Sequence, residues 1–350
     1  MTPAKLLVID ARRHPNAATP PEGLRHIARE ALIDVLRRGD LVVANDAATL
    51  PASLHGTHIR TAEPIEVRLA GRSSLSTELA DFTAVVFGAG DFHIRTEDRP
   101  QPPAFAIGDR LGLGPLTATV TRILGHPRLV SLHFDGSPDQ IWAGIAHHGR
   151  PVQYAHVPTP LSLWDVWTRI ANPPVAFEPP SAGFAIDWQL IAALRVRGIG
   201  FATITHAAGI SSTGDPDLDR QLPFDEPYDI PQSTAVAIAR TRANGGRILA
   251  IGTTVVRALE HAALSDGQVR AGNNVATERI GPATRLRVVD AVLTGVHERG
   301  TSHYELLRAF VDDVTLSAAD QEMETHGYRP HEFGDSVLVI PAPSTRARVA

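Results

Sequence analysis

Thr253 and Thr254 follow Gly252 at the end of the aliphatic run 247–251, and Arg257 lies one turn further on. The run reads as a buried strand and the segment after it as an amphipathic helix. A helix start offers N–H groups without intrahelical partners and a partial positive charge, so two adjacent hydroxyls there suit a polar or anionic ligand. A threonine N-cap on a crossover helix would use the same hydroxyls with no ligand. The passage is not a GxGxxG fingerprint and has no acidic residue at the later spacing that dinucleotide sites use. His206 closes a second strand-like run, 199–205, where an imidazole can exchange protons near neutral pH; a backbone carbonyl would satisfy it equally well. Asn45 and Asp46 close a third run, 41–44, at the strand end where open α/β sheets place ligands.

The elements that must hold these groups alternate along most of the chain. Leu24, Ile27, Ala28, Ala31, Leu32, Val35 and Leu36 recur at three- and four-residue steps and predict an amphipathic helix stopped by Gly39. Between residues 57 and 134 the texture changes to short segments divided by turns: 64–69, 82–87, 91–95, 104–111, 116–124 and 128–134. Roughly six strands with no helix among them predict a small antiparallel barrel. Gly88-Ala89-Gly90 reads as a hairpin turn inside it, since no helix follows as a phosphate loop would need. Residues 137–147 predict a helix ending at Gly149, and a Pro-rich passage, 151–180, is either a linker or an ordered site loop. Helices are then expected at 187–197, 232–243 and 302–314, and strands at 199–205, 247–251, 286–293 and 336–340. The expected fold class is α/β: a three-layer α/β/α domain, residues 1–56 and 151–350, interrupted by a small antiparallel β-barrel domain, residues 57–150.

Composition narrows the partners. The 350 residues are 43% hydrophobic, enough for real cores, and contain no cysteine, so neither disulfides nor thiolate metal sites are available. Sixteen histidines form no HExxH or similar spacing, and no metal is expected. The formal net charge of −5 disfavours a strongly electropositive nucleic-acid surface, and Lys5 is the only lysine. No run of eighteen apolar residues occurs and the first ten residues do not read as a signal peptide, so a cytoplasmic protein without a membrane partner is expected, as a monomer.

Four passages line up with a known family. Residues 39–46 with Pro51-Ala52-Ser53-Leu54 resemble GDLLVLNDTRVIPARL, Pro180-Ser181-Ala182-Gly183-Phe184 resembles PTAGLHF, residues 252–260 resemble GTTSVRALE, and Phe333-Gly334-Asp335-Ser336-Val337-Leu338 resembles YGDAML. In order and spacing the chain resembles the S-adenosylmethionine:tRNA ribosyltransferase-isomerase family of queuosine biosynthesis. The resemblance implies transfer and isomerisation of the ribosyl group of S-adenosylmethionine onto 7-aminomethyl-7-deazaguanine in tRNA, giving epoxyqueuosine, with adenine and methionine leaving. Such a site must face a sulfonium cation, supply a base and an acid, and exclude water. The resemblance places Asn45, Ser181, Ala182, Gly183, Thr253, Thr254, Arg257 and Asp335 at the S-adenosylmethionine site. His206 falls on the histidine of TLHVGAG and His297 on that of TNFH; with Asp46 they are the catalytic candidates.

The chain also departs from the pattern. Ala47-Ala48 stand where the family has Thr-Arg, Ser53 replaces a second arginine, the lysine-rich barrel segment has no lysine, and HxMHxE becomes 221–226, keeping only Glu226. Fewer cations mean fewer phosphate contacts, which weakens tRNA binding in a salt-dependent way. The departures therefore leave two alternatives: a paralogue using S-adenosylmethionine with a small-molecule acceptor, or a non-catalytic nucleoside-binding protein. Trp164 and Trp167 are aromatic faces on which a base or sulfonium would stack, or simply packing residues.

Overall fold

Five consecutive buried residues, Leu41–Asn45, form an interior strand of a nine-stranded sheet in a computed structural model describing residues 4–13, 23–330 and 333–342. Across the sheet the strands run Gly272–Ala276, Glu226–Ile230, Gly200–His206, Leu41–Asn45, Ile248–Ile251, Ala291–Gly295, Ser336–Ile340, Lys5–Asp10 and Leu24–Ala28. Leu41–Asn45 is parallel to both neighbours, with Val43 opposite Ala202 on one side and Ala250 on the other. Successive residues of one strand point to opposite faces, and two separate cores result. Leu41, Val43, Ile248 and Ala250 join the core under the helices Gln232–Ala243, Thr253–Ala262 and Asp313–Thr325. Val42, Ala44, Leu249 and Ile251 join the core under the helix Trp188–Val196. The three-layer α/β/α expectation is borne out by these two faces.

The barrel is also present. Six antiparallel strands close in the order Leu129–Phe134, Asp81–Phe87, Glu63–Gly71, Ser53–His58, Arg110–Leu113 and Leu116–Ile123. Its interior is aliphatic and aromatic, with Leu54, Val67, Phe82, Val120 and Phe134 buried. Gly56 is required where Ser53–His58 crosses Arg110–Leu113, because a Cβ there would lie 1.9 Å from the Gly112 carbonyl oxygen. The first barrel strand begins at Ser53, ahead of the barrel start expected at residue 57. The chain re-enters the α/β part beside its point of departure, through a bridge between Ser53 and Arg150.

Several local expectations are corrected. The stripe from Leu24 does not form an α-helix: Leu24–Ala28 is an edge strand antiparallel to Lys5–Asp10, followed by the 3-10 turn Arg29–Asp34. Residues 91–95 are not a strand, because the Asp91 carboxylate accepts from the His93 N–H and turns the chain. Gly88-Ala89-Gly90 is not a hairpin turn; it opens an excursion over residues 88–109, whose carbonyls converge on the Arg99 guanidinium. The region 302–314 is two helices, Ser302–Leu307 and Asp313–Thr325. The Pro-rich passage is ordered: Pro174–Ala176 pairs with Ala48–Thr49.

Candidate active site

The strand Ile248–Ile251 ends at Gly252, whose φ of 95° lies in the left-handed region that favours glycine. Its N–H donates to the Leu293 carbonyl at 2.7 Å, and the helix Thr253–Ala262 starts at once. Gly252, not a threonine, is therefore the N-cap, and no side chain caps this helix. Thr253 and Thr254 occupy its first two positions. The Thr254 hydroxyl oxygen is buried without a hydrogen bond, in the wall of a cleft into which the helix start opens. A buried hydroxyl without a partner costs stability, so a role toward something bound is the economical explanation.

Ser181 and Ala182, from the 3-10 turn Ser181–Ala185, form a neighbouring wall. Opposite stand Thr294 at the end of the strand Ala291–Gly295, and His297 and His303 beyond it. Thr294 Oγ1 and His297 Nε2 are 2.6 Å apart, and the His297 ring stacks on His303 with centroids 4.6 Å apart. Burial pushes both imidazoles below the usual histidine range, each held neutral at pH 7. A neutral imidazole beside a hydroxyl is able to take up a proton.

Glu226 and Arg257 close the inner end. The Arg257 guanidinium pairs with Glu226 and also donates to the carbonyls of Phe224 and Ala276. Glu226 accepts from the Gly209 N–H at 2.6 Å. Arg257, expected to contact the ligand, lines the cleft already engaged by a carboxylate. The empty space between these walls, counted out through the open mouth, is about 690 Å³. It continues into a wider opening lined by Tyr154 and Glu178 from the Pro-rich passage and by Arg95, Thr96 and Glu97 from the barrel excursion. Tyr154 donates to Glu178.

The other expected residues stand behind these walls. Asn45 is buried and clamps two strands, its amide accepting from the His206 N–H and donating to the His206 carbonyl, both at 2.9 Å. His206 is wholly buried; neither ring nitrogen has a hydrogen bond, and Nε2 lies 3.5 Å from the Glu226 carboxylate. Burial, with Arg257 nearby, keeps this ring neutral. Glu226 and Arg257, which line the cleft, stand beside it. The Asp46 carboxylate accepts from the Thr205 hydroxyl at 2.7 Å, and burial raises its pKa. Asp335 is spent on the Lys5 and Arg329 backbone N–H groups, and Gly183 packs against the Thr168 side chain. Among the described residues, Asn45, Asp46, Gly183, His206 and Asp335 do not line the cleft. Nor do Trp164, which is exposed, and Trp167, whose indole N–H donates to the Thr49 carbonyl. Sequence reading missed Glu178, Thr294 and His303, and gave Glu226 no role in the site although it survives from an otherwise altered passage.

The comparisons with known proteins agree with the resemblance. The family described as "Queuosine biosynthesis protein" matches residues 2–339. A Gloeobacter violaceus protein named S-adenosylmethionine:tRNA ribosyltransferase-isomerase is 31% identical over 349 residues, covering 97% of this chain and 89% of the relative. A Sorangium cellulosum protein of the same name is 31% identical over 364 residues, covering 97% and 93%. A crystal structure of S-adenosylmethionine tRNA ribosyltransferase from Thermotoga maritima aligns over 96% of this chain and 92% of that one, at 23% identity and a TM-score of 0.48. With a match running almost from end to end, the chain belongs to the queuosine biosynthesis protein family.

Proposed function

We propose that this chain is an S-adenosylmethionine:tRNA ribosyltransferase-isomerase, moving and rearranging the ribosyl group of S-adenosylmethionine onto the aminomethyl-deazaguanine of a tRNA. In this reading Thr253, Thr254, Ser181 and Ala182 contact the donor. His297, backed by Thr294 and stacked on His303, handles a proton. Asn45 and His206 serve as positioning residues, the first holding the strand ends and the second packing behind Glu226. The wider mouth between barrel and α/β layers receives the deazaguanine nucleotide of the tRNA. The observation that carries the reading is the partnerless Thr254 hydroxyl at an uncapped helix start, in the cleft formed where the family's own passages meet. The relatives' names all specify a tRNA enzyme, which favours tRNA over a small-molecule acceptor.

Incubation with S-adenosylmethionine and tRNA carrying 7-aminomethyl-7-deazaguanine, followed by nucleoside analysis, tests it. Epoxyqueuosine in the tRNA and adenine in solution are expected. Adenine released only when small metabolites replace tRNA would transfer the proposal to another acceptor; donor binding with no release in either case would leave a binding protein.

A further inference from the structure

We propose that His26, Glu322 and His326 form a binding site for one divalent transition-metal ion, Zn²⁺ foremost, at the edge of the sheet away from the cleft. One ligand atom from each lies within 4.8 Å of the other two. Glu322 and His326 stand one turn apart at the end of the helix Asp313–Thr325, and His26 reaches them from the edge strand Leu24–Ala28. The Glu322 Oε2 atom is 3.3 Å from His26 Nε2 and 3.3 Å from His326 Nδ1. A tetrahedral ion with bonds of about 2.0–2.1 Å holds its ligands roughly 3.3 Å apart, close to both of these ion-pair distances. The two imidazoles now lie with ring centroids 4.0 Å apart, so the His326 ring must turn for its nitrogen to converge on the same ion.

The surroundings support the same use. His26 Nδ1 is 3.0 Å from the Tyr328 hydroxyl, a contact that turns Nε2 toward the carboxylate as outer partners of metal-bound histidines do. Two imidazoles and one carboxylate suit Zn²⁺, Ni²⁺ or Cu²⁺ better than hard cations, and the fourth position falls to water. The Lys5 ammonium donates to the backbone carbonyls of His326 and Gly327, at 2.5 and 2.9 Å, and not to the Glu322 carboxylate. To bind the ion, His326 Nδ1 exchanges its hydrogen bond with the Glu322 carbonyl for a metal bond, a ring rotation open to an exposed side chain. Sequence spacing hid the site because His26 is 296 positions from Glu322. The ion would clip the edge strand to the last helix and leave the chemistry in the cleft untouched.

Titration calorimetry of the tag-free full-length chain with ZnCl₂ is the test. One equivalent is expected, weakened at least about tenfold by His26→Ala and by Glu322→Gln taken singly. Added Zn²⁺ should raise the Tm of the wild-type chain but not of His26→Ala, and Co²⁺ should give a tetrahedral visible absorption band that His326→Ala lacks. Circular dichroism of each variant checks that it folds. No bound equivalent, or binding that all three substitutions leave unchanged, overturns the proposal.

Discussion

At the scale of single residues, Thr254 gives the most direct test of the cleft. Thr254→Val keeps the shape and removes a hydroxyl that has no partner in the free protein. Stability should hold or rise, since an unpaired buried hydroxyl is lost, while the KM for S-adenosylmethionine rises roughly fivefold to tenfold, the worth of one hydrogen bond. An unchanged KM would show that the hydroxyl does not meet the donor. The buried histidines add a pH signature. His206, His297 and His303 are all held below the ordinary value of 6.5, so the unfolded chain takes up protons that the folded chain refuses. Their contribution is complete above about pH 6.5 and declines as the pH falls through the window below it. Melting curves at pH 7.5 and 5.5 should show lower stability at 5.5, and His206→Gln should narrow the difference.

At the scale of elements, the Glu226–Arg257 pair ties the strand Glu226–Ile230 to the helix Thr253–Ala262. Both partners are buried, so Glu226→Gln leaves a guanidinium without its counter-charge and should cost about 3–5 kcal/mol in urea unfolding. Adding Arg257→Met should recover part of that loss; a further decrease would argue that the arginine is held by its carbonyl contacts alone. Which elements were legible in sequence follows from burial. Leu41-Val42-Val43-Ala44 and Ile248–Ile251 are apolar throughout because both faces are covered, and the expected strands fall there. Leu24–Ala28 departs from the expected helix because this edge strand buries none of its residues fully and shows no strict alternation, while its apolar positions continue in helical steps into the 3-10 turn. Only its pairing with Lys5–Asp10 decides the matter, and local periodicity carries no trace of a partner strand. The candidate site was half legible for the same reason. The glycine-threonine passage announces itself, whereas Glu178, Glu226 and His303 come together only when distant loops meet.

Across the whole molecule, the barrel carries its own charge device. Glu66 accepts from Ser53 and Arg68 and pairs with Arg99, all buried, and the two arginines hold its pKa down to about 2. Against an unfolded value of 4.5 this amounts to about 3 kcal/mol, present above pH 4.5 and lost as the pH falls toward 2. Denaturant unfolding should therefore find Glu66→Gln much weaker than wild type at pH 6, with the gap narrowing by pH 3. A gap of constant size would place the cost in packing rather than ionisation.

The barrel draws all six strands from residues 53–134, while Leu41–Asn45 must wait for partners at Gly200–His206 and Ile248–Ile251, and Lys5–Asp10, which has Leu24–Ala28 at hand on one side, waits for Ser336–Ile340 on the other. During synthesis the insert is thus able to close on the ribosome long before its host sheet has the segments to assemble. The nascent N-terminal strands meanwhile stay open to wrong pairings, and the cleft becomes complete only when the last third of the chain has emerged.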